Sequence, residues 1–113
     1  MKAFLKTIND IDYLYFKVPS ENVGVSILPV ITKGSRDDYK KNDEKLCVWS
    51  WNGDLEKPTL KPSILIQKSW KENSIRVHLF LNEGICKFLD DCNDGNANKE
   101  LELLDLPEWV LKD

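Results

Sequence analysis

The sequence predicts a mainly β protein: a single domain built on an antiparallel sheet, a compact sandwich or a rolled sheet, with a short C-terminal helical turn. Three observations predict it. Short runs rich in β-branched and aromatic residues recur with turn formers about every 8–12 positions. Helical periodicity is nearly absent, and 113 residues with 42% hydrophobic content suffice for one core but not for a second domain.

Strands are expected near 3–8, 12–18, 23–32, 46–51, 63–70, 75–81 and 85–90, with a short one at 101–104. Pro29 stands inside the third run and cannot donate to a ladder, so that run is an edge strand or is broken there. Residues 33–46, KGSRDDYKKNDEKL, are almost wholly polar and read as an exposed, mobile loop. In Ile75-Arg76-Val77-His78-Leu79-Phe80-Leu81 the alternation is strict, which puts Ile75, Val77, Leu79 and Leu81 on one face and Arg76, His78 and Phe80 on the other. Asn82-Glu83-Gly84 then supplies a hairpin loop into Ile85-Cys86-Lys87-Phe88-Leu89. With three residues in that loop, Leu81 faces Ile85 and Arg76 faces Asp90 as an ion pair. Leu103, Leu106, Trp109 and Val110 read as one apolar side of a helical turn covering an open end of the sheet, with Trp109 packed in the core.

Charge and composition exclude whole classes of function. The formal charge is −3, with −6 in residues 90–113 and therefore +3 in residues 1–89, so no general basic field exists to attract duplex nucleic acid. No stretch approaches the roughly 20 apolar residues of a membrane span. One histidine, His78, rules out multi-histidine metal sites. Three cysteines and a start without an apolar signal region point to a reducing cytosol. Cys47, Cys86, Cys92 and His78 are the right ligand types for zinc, yet no closely spaced pair exists and Cys86 reads better as a small core hydrophobe. Asp90-Asp91-Cys92-Asn93-Asp94-Gly95 has an EF-hand glycine but Cys92 at position three and Leu101 at position twelve, which argues against calcium. No cofactor is expected.

Several motifs stand together: Trp49-Ser50-Trp51-Asn52-Gly53-Asp54, Pro58-Thr59-Leu60-Lys61-Pro62-Ser63-Ile64, His78 in its apolar strand, and Phe88-Leu89-Asp90-Asp91-Cys92. Across residues 48–109 they resemble a family of small phage proteins that often carry the label "ammonia monooxygenase". More distantly they resemble the BubE-type serine peptidases of bacterial ubiquitin-like operons. The second resemblance implies Ser63 as nucleophile and His78 as base. Against the phage pattern, Val77 replaces a cysteine and Asp94 replaces a histidine, so most of any zinc set that relatives hold is missing here.

Geometry tests the dyad in advance. With Lys71-Glu72-Asn73-Ser74 as a four-residue loop, Gln67 pairs with His78. Ser63 then shares a face with His78 but lies four residues away, roughly 13 Å. A bulge or bend at Pro62-Ser63 is what catalysis would require. Lys61, two residues before Ser63, offers a Ser/Lys variant, but an exposed lysine is almost fully protonated at neutral pH.

The reading placed first is therefore a phage-encoded accessory protein in the host cytoplasm. It would bind or inhibit a host or defence component through its acidic side, Asp90, Asp91 and Asp94, or through a tryptophan face of Trp49 and Trp51 beside Lys57, Lys61 and Arg76. The alternative is a peptidase-like Ser63/His78 hydrolase. The third is a nucleotide-binding sponge, in which exposed indoles would stack a base.

Overall fold

The computed structural model describes residues 1–41 and 43–111. The chain forms β1 (Ala3–Ile8), β2 (Ile11–Ser20), β3 (Val23–Ile31), a 3₁₀ turn (Arg36–Asp38), β4 (Lys40–Lys41), β5 (Glu44–Lys45), β6 (Trp49–Trp51), β7 (Leu60–Trp70), β8 (Asn73–Asn82), β9 (Ile85–Phe88), β10 (Glu100–Glu102) and the helical turn α1 (Glu108–Leu111). Eight strands make one sheet in the order β1-β2-β3-β6-β7-β8-β9-β10, and β4 and β5 make a small ribbon. The sheet is strongly curled into a half-barrel. After β10 the chain returns to the other end of the sheet: the Leu104 N–H donates to the Lys17 carbonyl of β2, and the Leu106 N–H to that of Met1, both at 3.0 Å.

Sheet and curl agree with the expected rolled fold, with one correction. The sheet is mixed, because β3 and β6 pair in parallel at Val30–Trp49 and Ile31–Ser50. A parallel pair needs a long crossover, and residues 32–48 provide it. Within that crossover Tyr39 is buried, its hydroxyl accepting from the Thr32 N–H at 2.9 Å and donating to the Lys33 carbonyl at 3.2 Å. Asn42, in the same segment, lies outside the described residues, as do Lys112 and Asp113. Pro29 does not break β3. It pairs with Tyr13 of β2, and β6 meets β3 only beyond it.

The alternation predicted for β8 is observed: Val77, Leu79 and Leu81 are buried in the concave core with Leu14, Phe16, Val18, Leu60, Ile64 and Phe88, whereas His78 and Phe80 face outward. Each such side chain contributes on the order of 1.5–3 kcal/mol by leaving water. Leu103, Leu106 and Val110 close one end as expected, but Trp109 is 64% exposed and not in the core. Four residues of α1 make about one turn, too few to turn both Val110 and Trp109 inward.

Both hairpins that bracket β8 are tighter than expected, and this resets the register. β7 and β8 turn through Lys71 and Glu72 alone, so Leu65, not Gln67, pairs with His78. β8 and β9 turn through Glu83 and Gly84 alone, so Leu81 pairs with Cys86, and Asn82 with Ile85. Glu83 and Gly84 are both left-handed, at φ 48° and 78°, the requirement of a two-residue turn of this hand. The sequence marks only the glycine.

Candidate active site

Ser63 reaches its place through an irregularity in β7. Leu60 pairs with Leu81 and Ile64 with Leu79, so Lys61, Pro62 and Ser63 together oppose the single residue Phe80. The Lys61–Pro62 peptide inside this bulge is cis. The shorter turn moves Ser63 two residues closer to His78 along the ladder, and the bulge closes the rest. Ser63 Oγ lies 3.1 Å from His78 Nε2, in place of the roughly 13 Å from the expected register.

What precedes the bulge is built to hold it. Asn52 accepts from the Asp54 and Thr59 N–H groups and donates to the Lys57 carbonyl. Asp54 accepts from the Lys57 and Glu56 N–H groups, which in that order hold its carboxyl below the usual carboxylate range. The Pro58 carbonyl accepts from the Gly84 N–H at 2.9 Å. The indole Nε1–H of Trp49 donates to the Ser63 carbonyl at 3.3 Å. The W-x-W-N-G-D and P-T-x-x-P-S motifs thus form the frame that delivers Ser63.

On its other nitrogen His78 meets Asp91. Nδ1 lies 3.0 Å from Oδ2 and 3.2 Å from Oδ1, with the two side chains 25% and 35% exposed. A turn over residues 89–92 places Asp91 there: the Leu89 N–H donates to the His78 carbonyl at 2.8 Å, and the Cys92 N–H closes back on the Leu89 carbonyl at 3.3 Å. Cys92 Sγ accepts from the His78 N–H at 3.2 Å and donates to its carbonyl at 3.1 Å. The side chain of Asn93 secures the next stretch, accepting from the Arg76 N–H and donating to the Ser74 carbonyl. Arg76 Nε stands 3.7 Å from Asp91 Oδ2, so its acidic neighbour is Asp91 and not Asp90.

Serine, imidazole and carboxylate in this order are the arrangement in which a hydroxyl loses its proton to a base whose tautomer and charge a third group controls. Asp91 was legible in the sequence only as part of an acidic patch. Its signal was its position beside Cys92, immediately after the β9 run.

The remaining candidates do not converge. Trp49 and Trp51 are half-buried against the core, and the Trp51 indole N–H donates to the Asp54 carbonyl. Lys57 and Lys61 are exposed, Lys61 within the bulge. Asp90 is exposed at the turn. Asp94 turns away to accept from Ser20 Oγ at 2.5 Å and from Asn96. Cys47 is exposed, whereas Cys86 is buried, and burial pushes its thiol up to about 12. Among the described residues no three histidine, cysteine or acidic side chains group to hold a metal. None of their helices is long and apolar enough to cross a membrane.

No curated protein and no solved structure matches the chain. Residues 26–89, more than half of its length, match the family described as the bacterial ubiquitination-like system serine protease, BubE. The matched segment runs from β3 through the bulge and β8 to the end of β9, and so contains both Ser63 and His78 in contact. On that match the chain belongs to the BubE family.

Proposed function

We propose that the protein is a serine peptidase in which Ser63 is the nucleophile, His78 the general base and Asp91 the group that orients and charge-stabilises the imidazole. The observation that carries this reading is the unbroken chain of contacts, 3.1 Å from Ser63 to His78 and 3.0 Å from His78 to Asp91. In the acylation step Ser63 Oγ bonds to the scissile carbonyl carbon as its proton passes to His78 Nε2. The carbon–nitrogen bond then breaks, and the departing amine takes that proton. Water, activated by the same imidazole, releases the acyl group. The family description supports a substrate within a bacterial ubiquitination-like system. The test is reaction with diisopropyl fluorophosphate followed by peptide mass mapping. Labelling is expected at Ser63, absent in Ser63→Ala and strongly slowed in His78→Ala. A folded protein that takes no label at Ser63 refutes the reading.

A phage-encoded binding protein or inhibitor of a host component is the second reading. One observation favours it: Leu104 and Trp109 are exposed apolar side chains on the segment that also carries Glu102, Asp105 and Glu108. It predicts partner capture that survives Ser63→Ala and is lost in Trp109→Ala.

A further inference from the structure

β6 is only three residues long, and its two neighbours are not. It pairs with β3 at Val30 and Ile31 and with β7 at Leu60 and Lys61. Before Trp49 the chain leaves the sheet, so β3 from Val23 to Pro29 and β7 from Ile64 to Trp70 face one another with no strand of the described residues between them. Two inter-strand steps of about 4.8 Å set the gap at roughly 10 Å, the width of one strand.

The register states which backbone groups face this gap. In a hairpin with a two-residue turn the flanking residues bond to each other, and the pattern alternates from there. Counting from Ile8–Ile11 through β1 and β2, Leu14 and Phe16 bond to Leu28 and Ser26, which leaves the N–H and C=O groups of Val25 and Ile27 pointing into the gap. Pro29, which has no N–H to lose, falls in the same set. Counting from Trp70–Asn73, Ile66 and Ile64 bond to β8, and Leu65 and Gln67 point into the gap from the other side. A cavity of 230 Å3 lies here, lined by β3, by Ile64 to Ile66 and by Trp49. Lys68 Nζ, donating to the Asn22 carbonyl at 3.4 Å, spans its far end. At the near end stands Ser63, whose carbonyl holds the Trp49 indole. Exposed Ile27 and Leu65 flank the gap on the outer face.

We propose that this gap is the substrate cleft, and that its occupant is an extended, unfolded polypeptide segment added as a strand between β3 and β7, with its scissile carbonyl brought to Ser63. This rests on the peptidase reading above and adds the substrate's conformation. Two facing rows of unpaired donors and acceptors fit a backbone, not a folded surface, and recognition by strand addition draws its affinity from such rows.

The experiment compares three serine-reactive probes on the whole chain. Diisopropyl fluorophosphate reads Ser63 reactivity alone. An acetyl-tetra-alanyl diphenyl phosphonate adds an extended backbone, and its counterpart N-methylated at alternate amides adds the same bulk without the donors. The peptide phosphonate is expected to label Ser63 at least about tenfold faster than its N-methylated form, a ratio typical of one or two lost hydrogen bonds. Ile27→Pro removes one donor of β3 and is expected to slow the peptide probe about tenfold. In the covalent adduct the amides of Val25, Ile27, Leu65 and Gln67 are expected to gain protection from hydrogen exchange. Equal rates for the two peptide probes, or an adduct without that protection, overturn the strand cleft while small-probe labelling keeps the peptidase reading standing. No labelling by the small probe overturns both. Should Ile27→Pro not fold, the methylated probe on the unaltered protein decides the matter.

Discussion

Replacing Asp91 by asparagine isolates what the carboxylate does, because the amide keeps the shape and removes the charge. As Ser63 gives up its proton, His78 becomes cationic beside a carboxylate whose oxygens lie 3.0 and 3.2 Å from Nδ1. With charge centres about 4 Å apart and an effective dielectric of about 20, that pairing is worth about 4 kcal/mol. Exposure of 25% for His78 and 35% for Asp91 lets solvent screen it, and about 2–3 kcal/mol is a fair remainder. At 1.36 kcal/mol per decade this is a fall of about 30- to 150-fold in the rate of Ser63 acylation. The asparagine amide can also donate to Nδ1, which moves the ring proton to Nε2 and spoils the base toward Ser63, so the higher end is expected. The assay is the second-order rate of labelling by diisopropyl fluorophosphate, followed by intact mass, on protein whose far-ultraviolet circular dichroism matches the unaltered chain. A folded Asp91→Asn that labels within about threefold of the original rate would show that Asp91 neither orients nor stabilises His78.

Other expectations follow from single contacts. Trp49→Phe removes the donor to the Ser63 carbonyl together with part of the indole's packing against the core; a loss of about 1–2 kcal/mol in urea unfolding is expected, with slower Ser63 labelling. Gly84→Ala forces a side chain into φ 78° with the Lys57 backbone 3.4 Å away, and should cost about 1–2 kcal/mol by the same measurement. Iodoacetamide at pH 8 should alkylate exposed Cys47 and leave Cys86 unreacted until the protein unfolds. Because the buried Cys86 thiol resists ionisation up to about 12 while the unfolded one ionises near 9.0, its contribution to stability is intact below 9.0 and falls as pH rises toward 12. Denaturation midpoints at pH 8 and pH 10 should therefore differ less in Cys86→Ala than in the unaltered chain.

The strands were legible because each has one face in the core, and the alternation of Ile75 to Leu81 states which face without reference to any partner. What escaped was counted in single residues at turns. Lys71 and Glu83 take left-handed conformations that neither residue type advertises, so the loops on both sides of β8 read as longer than they are and the serine–histidine separation came out too large. The bulge at Lys61 to Ser63 could be named as a requirement, since Pro62 interrupts the ladder, but its size depends on how β7 meets β8 on one side and Trp49 on the other. Asp91 was harder still. Which of three acids in Asp90-Asp91-Cys92-Asn93-Asp94 turns toward the imidazole is decided by a cysteine sulfur and an asparagine amide bonding to β8, and composition carries no trace of that. Trp109 misled because hydrophobicity sets a tendency to burial, and a single helical turn has room to satisfy it for only part of its apolar residues.

The sulfur of Cys92 has a wider meaning for how this sheet ends. An antiparallel neighbour at His78 would ordinarily exchange two peptide hydrogen bonds with it. Leu89 supplies one through its N–H, and the thiol stands in for the Leu89 carbonyl, which turns away to accept from the Cys92 N–H. The ladder is therefore bridged at His78 by an atom smaller than a peptide unit, and the two residues between Leu89 and Cys92, Asp90 and Asp91, loop toward the ring before the Asn93 N–H rejoins β8 at the Arg76 carbonyl. A regular pair between Leu89 and His78, continuing β9 past Phe88, would complete the pairing and leave the imidazole without its acid. The pairing skips one bond and resumes at Asn93, and the acid fills the space so opened.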